Sequence, residues 1–185
     1  DIIRETVNLL KHTLDKKIKI IEELNAPKHT VSGDPTQLQN AILNLALNSR
    51  DAMPNGGTIK FETSNLSGTA VESIDKNECN ERQNFICISV KDNGTGIDDK
   101  NIRRIFEPFY TTKDQGEGTG MGLAAVYGTI KNHNGTVNVK SIVNEGSTFS
   151  IFLPVADPET NNEVTDGTPL KRYNPDSLHI LFTDD

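Results

Sequence analysis

The sequence predicts an α+β domain, and three features carry that expectation: helical and strand periodicities alternate along the chain, a long helix opens at Gly33-Asp34-Pro35, and the last regular segment reads as a β-hairpin. Ile2, Ile3, Val7, Leu10 and Leu14 recur at helical spacing over residues 1–15, and Ile18, Ile20 and Ile21 make residues 18–24 a strand. A short strand is expected at Thr30-Val31. Asp34 supplies an N-cap and Pro35 a first-turn proline, so a helix should run from Pro35 to about Met53, where Pro54-Asn55-Gly56-Gly57 stops it. Strands follow at Thr58–Ser64 and Phe85–Lys91, with the polar stretch from Asn65 to Asn84 as a surface loop. Residues 99–106 read as a short helix, 107–120 as a Gly- and Thr-rich loop, and 121–133 as a helix burying Met121, Ala124, Ala125, Val126 and Ile130. Gly135–Ile142 and Gly146–Leu153, joined by Asn144-Glu145-Gly146, form the hairpin.

With 185 residues, 34% of them hydrophobic, the chain holds one domain with flanking sequence and enough apolar material for a core. Its formal net charge of -7, with no basic patch, argues against a nucleic-acid partner. The longest apolar runs, Ala41–Leu43 and Leu45–Leu47, fall far short of the roughly 20 residues of a membrane span. No membrane contact by this chain is expected, and a cytoplasmic location is. Cys79 and Cys87 lack C-x-x-C spacing and are read as reduced and unpaired. Residues 155–177 have the composition of a solvated linker, and Leu178–Phe182 is a short apolar strand candidate ending in Asp184-Asp185.

Three elements carry the candidate chemistry. Asn44 and Asn48 stand one turn apart beside the apolar stripe of Leu38, Ile42, Leu45 and Ala52. They are either ordinary polar residues bonded to nearby loops or neutral oxygen ligands for Mg²⁺ whose other ligands are phosphate and water. Asp92-Asn93-Gly94-Thr95-Gly96-Ile97 follows a predicted strand, so Asp92 sets a carboxylate at the strand end, able to accept from an amine such as that of adenine; alone, the motif also suits an ordinary turn. Gly116, Gly118, Gly120 and Gly122 alternate at the opening of a helix, where backbone N–H groups suit phosphates, or the loop is simply a hinge. The pattern is neither the Lys-Ser/Thr type nor the dinucleotide type of phosphate loop.

In combination these residues resemble sensor histidine kinases. Asn44-x-x-x-Asn48 is similar to the N box, Asp92-x-Gly94-x-Gly96 to the G1 box, Phe106-Glu107-Pro108-Phe109 to the F box and Gly118-Thr119-Gly120-Met121-Gly122-Leu123 to the G2 box. Asn48–Met53 and Gly146-Ser147-Thr148-Phe149 with Leu153-Pro154 extend the likeness over residues 1–154. The resemblance implies the Bergerat ATP-binding fold shared with gyrase, the Hsp90 chaperones and MutL: a two-layer sandwich of a mixed sheet with helices on one face. It further implies ATP and Mg²⁺ as cofactors. Asp92 would hold the adenine amine and Asn48 the Mg²⁺, with Asn44 near the phosphates. The Gly118–Leu123 backbone would cradle the phosphates, Gly94, Gly96 and Ile97 would shape the base end, and Thr148 would support adenine. Tyr110 to Gly116, with Thr111, Thr112 and Lys113, would form most of a lid anchored by Phe106 and Phe109.

Asn44 stands where ATP-hydrolysing relatives carry Glu, and an amide has no useful basicity, so hydrolysis should be poor. Asp51 stands where many of these kinases carry Lys, which leaves Arg50 or Lys113 to neutralise phosphate. The expected acceptor is a His followed by an acidic residue, and His12, His29, His133 and His179 are followed by Thr, Thr, Asn and Ile. The expected function is therefore transfer of the ATP γ-phosphate to a histidine on a dimerisation domain, with a receiver domain or response regulator downstream. A non-catalytic nucleotide-binding module and an ATPase of the gyrase type are the alternatives. Residues 178–185 are similar to the first strand and acidic pair of a receiver, as in a hybrid kinase.

Overall fold

Alternation along the strands divides the five-stranded sheet of the described residues into an apolar face and a mostly polar one. The structure, a computed structural model, describes residues 2–67, 83–113 and 118–156. In chain order its elements are α1 (Ile2–Thr13), β1 (Ile18–Leu24), α2 (Pro35–Asp51), β2 (Gly57–Ser67), β3 (Asn84–Asp92), α3 (Asp99–Ile102), α4 (Gly122–Asn132), β4 (Thr136–Ile142) and β5 (Gly146–Pro154). The strands lie in the order β1-β2-β3-β5-β4. β1 and β2 are parallel and the other three pairs antiparallel, which is the expected mixed sheet.

Ile59 and Phe61 of β2, Ile86, Ile88 and Val90 of β3, and Phe149, Ile151 and Leu153 of β5 share the face that meets Val7, Leu10, Leu38, Ile42, Leu45, Val126 and Ile130 of the helices. The opposite face carries a small cluster of Phe85, Cys87 and Phe152, with Leu66 against it. Cys87 is a free thiol there. Burying the helix stripe on one sheet face is what makes the fold a two-layer sandwich.

Asp34 caps α2 from extended backbone, its carboxylate accepting from Thr36 N–H at 2.8 Å and Gln37 N–H at 3.1 Å. The same turn is tied to the end of α4. Asp34 N–H donates to His133 Nε2 at 2.9 Å, which leaves Nδ1 to donate to the Thr129 carbonyl at 2.7 Å. Gly33 gives the imidazole room, since a Cβ there would lie 2.1 Å from its Cδ2.

Some expectations need correction. Thr30-Val31 contributes only an isolated bridge, Val31 to Val155. The stretch assigned to a loop from Asn65 is strand as far as Ser67, because Asn65, Leu66 and Ser67 pair with Ile86, Phe85 and Asn84 of β3, and the Asn65 amide also exchanges hydrogen bonds with Lys28 N–H and C=O at 2.9 and 2.7 Å. The helix expected over 99–106 is one turn, after which the chain bends to bury Ile105. In α4 the inner stripe is Val126 and Ile130 with Leu123, three and four apart; Met121, at 43% exposure, and Ala125 lie off it. Cys79, most of the polar loop, Gly116 and residues 157–185 with their receiver-like end lie outside the described residues.

Leu45 has no exposed surface, so Leu45→Ala should cost about 3 kcal/mol in urea unfolding. The hydrogen bond from Gln37 N–H, with those from Thr36 and the Gln37 side chain and the nearby His133, holds the Asp34 carboxyl below its ordinary 3.8 despite some desolvation. A carboxyl depressed on folding stabilises above its unfolded value and stops doing so as pH falls through the folded one. Asp34→Ala should therefore lower Tm at neutral pH, and the difference from the parent should shrink below about pH 4.

Candidate functional site

A buried carboxylate at the end of β3 organises the cleft between α2, α4 and the sheet. Asp92 is 3% exposed, and its two oxygens accept three hydrogen bonds. Ser49 Oγ of α2 donates to Oδ2 at 3.0 Å, while Gly94 N–H at 3.0 Å and Ser147 N–H at 3.2 Å donate to Oδ1. A carboxylate removed from water needs such donors. Ser49 falls on the buried stripe of α2 with Leu38, Ile42 and Leu45, so its hydroxyl required a partner; that was the signal for a residue the sequence reading left out of the site.

The loop after Asp92 packs between two rigid neighbours. Thr95 N–H bonds the Ala52 carbonyl at the end of α2, and Asn144 N–H of the β4–β5 turn bonds the Thr95 carbonyl. A Cβ at Gly94 would lie 2.6 Å from Ala52 O. Gly96 has φ +68, and a Cβ there would strike Ile142 O at 2.1 Å, so both backbone conformation and space require glycine. Ile97 N–H is held by Ser141 Oγ at 2.8 Å, and Ile97 lines the cleft.

The cleft encloses about 510 Å³, within the range of nucleotide-sized ligand sites. Asn44 and Asn48 project into it from α2, and among the described residues neither amide has a hydrogen-bond partner. They face the opening of α4, where the Gly122 position lies 3.8 Å from Asn44 Oδ1 and 4.0 Å from Asn48 Nδ2, measured to a Cβ built there. α2 and α3 begin on Asp caps, whereas α4 begins at Met121 with no side-chain cap. Its first N–H groups are therefore open to the cleft. Gly118, Thr119, Gly120, Gly122 and Leu123 line that end, with Thr111, Thr112 and Lys113 across from them.

Asp51 closes one wall. Its Oδ1 accepts from Arg50 Nε at 2.7 Å and Nη2 at 2.6 Å, and its Oδ2 pairs with the Lys113 ammonium. Partial burial pushes the Asp51 carboxyl upward, but the hydrogen bonds and charges of Lys113 and Arg50 outweigh it and leave the group below its ordinary value.

Five residues expected at the site sit elsewhere. Thr148 lies between Ser147 and Phe149, which line the cleft, and strand alternation turns it to the other sheet face; the residue beside Asp92 is Ser147 instead. Gly94 supports Asp92 from behind rather than lining the cleft. Phe106 packs on the core and on the Tyr127 ring, with centroids 5.6 Å apart. Met121 caps α4 at the surface. Phe109, expected as a lid anchor, is 76% exposed at φ 66, and its N–H donates to the Gly120 carbonyl at 3.1 Å. Thr95 of the Asp92–Ile97 motif and Tyr110 of the expected lid also line the cleft, as does Asn101, which accepts from the Tyr110 hydroxyl at 2.7 Å and belongs to no motif.

These features define a nucleotide-type cleft, and the comparisons assign its family. Residues 33–157 match the histidine kinase-, DNA gyrase B- and HSP90-like ATPase family, to which this chain belongs. Sensor kinases are among its relatives. The chain is 38% identical over 154 residues to sensor kinase CckA of Brucella abortus (strain 2308), covering 83% of this chain and 16% of that protein. It is 35% identical over 156 residues to sensor histidine kinase ZraS of Salmonella typhimurium (strain LT2), covering 84% and 30%. The chain thus spans less than a third of either relative. Among solved structures, the catalytic domain of histidine kinase ThkA superposes with a TM-score of 0.66 at 25% identity, covering 84% of this chain and 93% of that one. Full-length ShkA in complex with AMPPNP superposes with a TM-score of 0.65 at 25% identity, covering 84% and 29%.

Ser49→Ala should cost about 1–3 kcal/mol by removing a donor from a buried carboxylate, measured by chemical denaturation. A stability equal to the parent's would mean the hydroxyl does not support Asp92.

Proposed function

We propose that this chain is the ATP- and Mg²⁺-binding catalytic domain of a sensor histidine kinase, passing the γ-phosphoryl group of ATP to a histidine on a dimerising helical hairpin. The observation that carries the reading is one cleft with a buried, donor-held carboxylate at one end and two unpartnered amides facing uncapped helix N–H groups at the other. The carboxylate suits the exocyclic amine of adenine, and the N–H groups suit phosphate.

Asn48 would present an amide oxygen to Mg²⁺ and Asn44 would stand beside it. Among the described residues no cluster of three His, Cys, Asp or Glu exists to hold a metal, so the ion's remaining ligands would be phosphate oxygens and water. The acceptor imidazole nitrogen forms a bond to the γ-phosphorus as the bond to the bridging oxygen breaks and ADP leaves. Asn44 does not take a proton from water, which favours a histidine nitrogen over hydrolysis.

The acceptor hairpin would meet exposed apolar side chains of the segment before α4 and of α4 itself: Phe109, Met121 and Tyr127. A receiver domain or response regulator would take the phosphoryl group next, and residues 178–185 read as the start of such a receiver. Among the described residues no helix is long and apolar enough to cross a membrane, and a cytoplasmic location fits this reading.

A helical-hairpin fragment bearing a His-acid motif, mixed with this chain and γ-labelled ATP, should become labelled. Label that stays off the fragment while ATP binds would favour a nucleotide-binding module, and steady phosphate release would favour an ATPase. Asp92→Asn should weaken ATP roughly tenfold to a hundredfold in calorimetry, because it exchanges an acceptor for a donor opposite the amine. Unchanged affinity would remove Asp92 from the adenine site.

A further inference from the structure

We propose that Asp51 is a positioning residue that fixes the Lys113 ammonium as the phosphate-facing cation of the cleft; the inference rests on the ATP reading above. Asp51 holds both cations through separate oxygens, Oδ1 with Arg50 and Oδ2 with Lys113. The cluster of two cations and one anion carries a net charge of about +1 at neutral pH.

Geometry separates the two cations. Arg50 folds back from the end of α2 onto its sequence neighbour, whereas Lys113 reaches Asp51 from 62 residues away. On the way its stem passes the first described glycine of the alternating run. A Cβ at Gly118 would lie 3.2 Å from Lys113 Cδ and 2.8 Å from Thr111 Oγ1. Lys113 thus spans from the glycine-lined end of the cleft to α2. Arg50, Asp51, Thr112 and Lys113 also line a neighbouring polar cleft of about 660 Å³ with Asp15 and Lys17, so the ion cluster is the wall between the two spaces. An unpaired lysine on this wall would sample many rotamers and both clefts. Paired to a carboxylate on a packed helix, its charge stays at the wall of the nucleotide cleft.

The test is a double-mutant cycle on the 185-residue chain, with ATP and adenosine affinities measured by calorimetry. Asp51→Asn should weaken ATP about fivefold to tenfold and leave adenosine unchanged. Lys113→Met should do at least as much, and adding Asp51→Asn to it should change nothing further. Asp51→Glu should recover most of the ATP affinity, which a packing role for the side chain would not give. Tighter or unchanged ATP binding by Asp51→Asn, an equal loss in the Lys113→Met background, or a parallel loss of adenosine would each overturn the assignment. A parent chain that binds neither ligand would overturn the ATP reading itself, whereas binding with an additive cycle would overturn only the role of Asp51.

Discussion

The burial of the Asp92 carboxylate is the constraint to which the rest of the site conforms. A charged group taken out of water is tolerated only where donors replace the lost hydration. Those donors come from three places in the chain: a hydroxyl from α2, a backbone N–H from the loop after β3 and another from the start of β5. Helix layer and sheet are thereby joined at one point. The stripe of α2 that packs on the sheet ends in a polar residue at position 49 for this reason, and β5 begins with two buried residues, Gly146 and Ser147, lodged against the same carboxylate. A Cβ at Gly146 would lie 2.1 Å from Asp92 O, so backbone approach there is as tight as the hydrogen bonding requires.

Much of this was legible from residue order. The Asp34-Pro35 start of α2 follows from capping chemistry, and the strands of the β4–β5 hairpin emerge within a residue of the predicted limits because Asn144-Glu145-Gly146 specifies the turn. The amides of Asn44 and Asn48 reach the cleft because a one-turn spacing on a helix leaves little freedom. What escaped has the opposite character. Whether Ser147 or Thr148 faces the cleft depends on strand register, and a one-residue slip reverses the answer. Phe109, exposed at positive φ, is tied by its N–H to the Gly120 carbonyl eleven residues away, a contact that local pattern does not reveal. Asp51 is visible in the sequence as the acidic neighbour of Arg50, but its pairing with Lys113 is a contact over 62 residues that local pattern does not encode.

Electrostatics divide along the same lines. The chain is acidic overall, with a formal charge of -7, yet the described wall beside Asn48 gathers two cations around one carboxylate. Net charge describes how the chain meets a distant polyanion, while a small anion inside a cleft responds to the few charges within several ångströms.

The helix that carries the amides is secured at both ends, by the His133 imidazole and its own cap at the start and by the Thr95 N–H to Ala52 carbonyl contact at the finish. It therefore acts as a ruler of fixed length and phase. An extra residue between Leu38 and Asn44 would turn both amides by about 100° while the end attachments resisted compensation. Change at this site is confined to exchanging one side chain for another on an unaltered ruler, and the loops outside it are where length can vary.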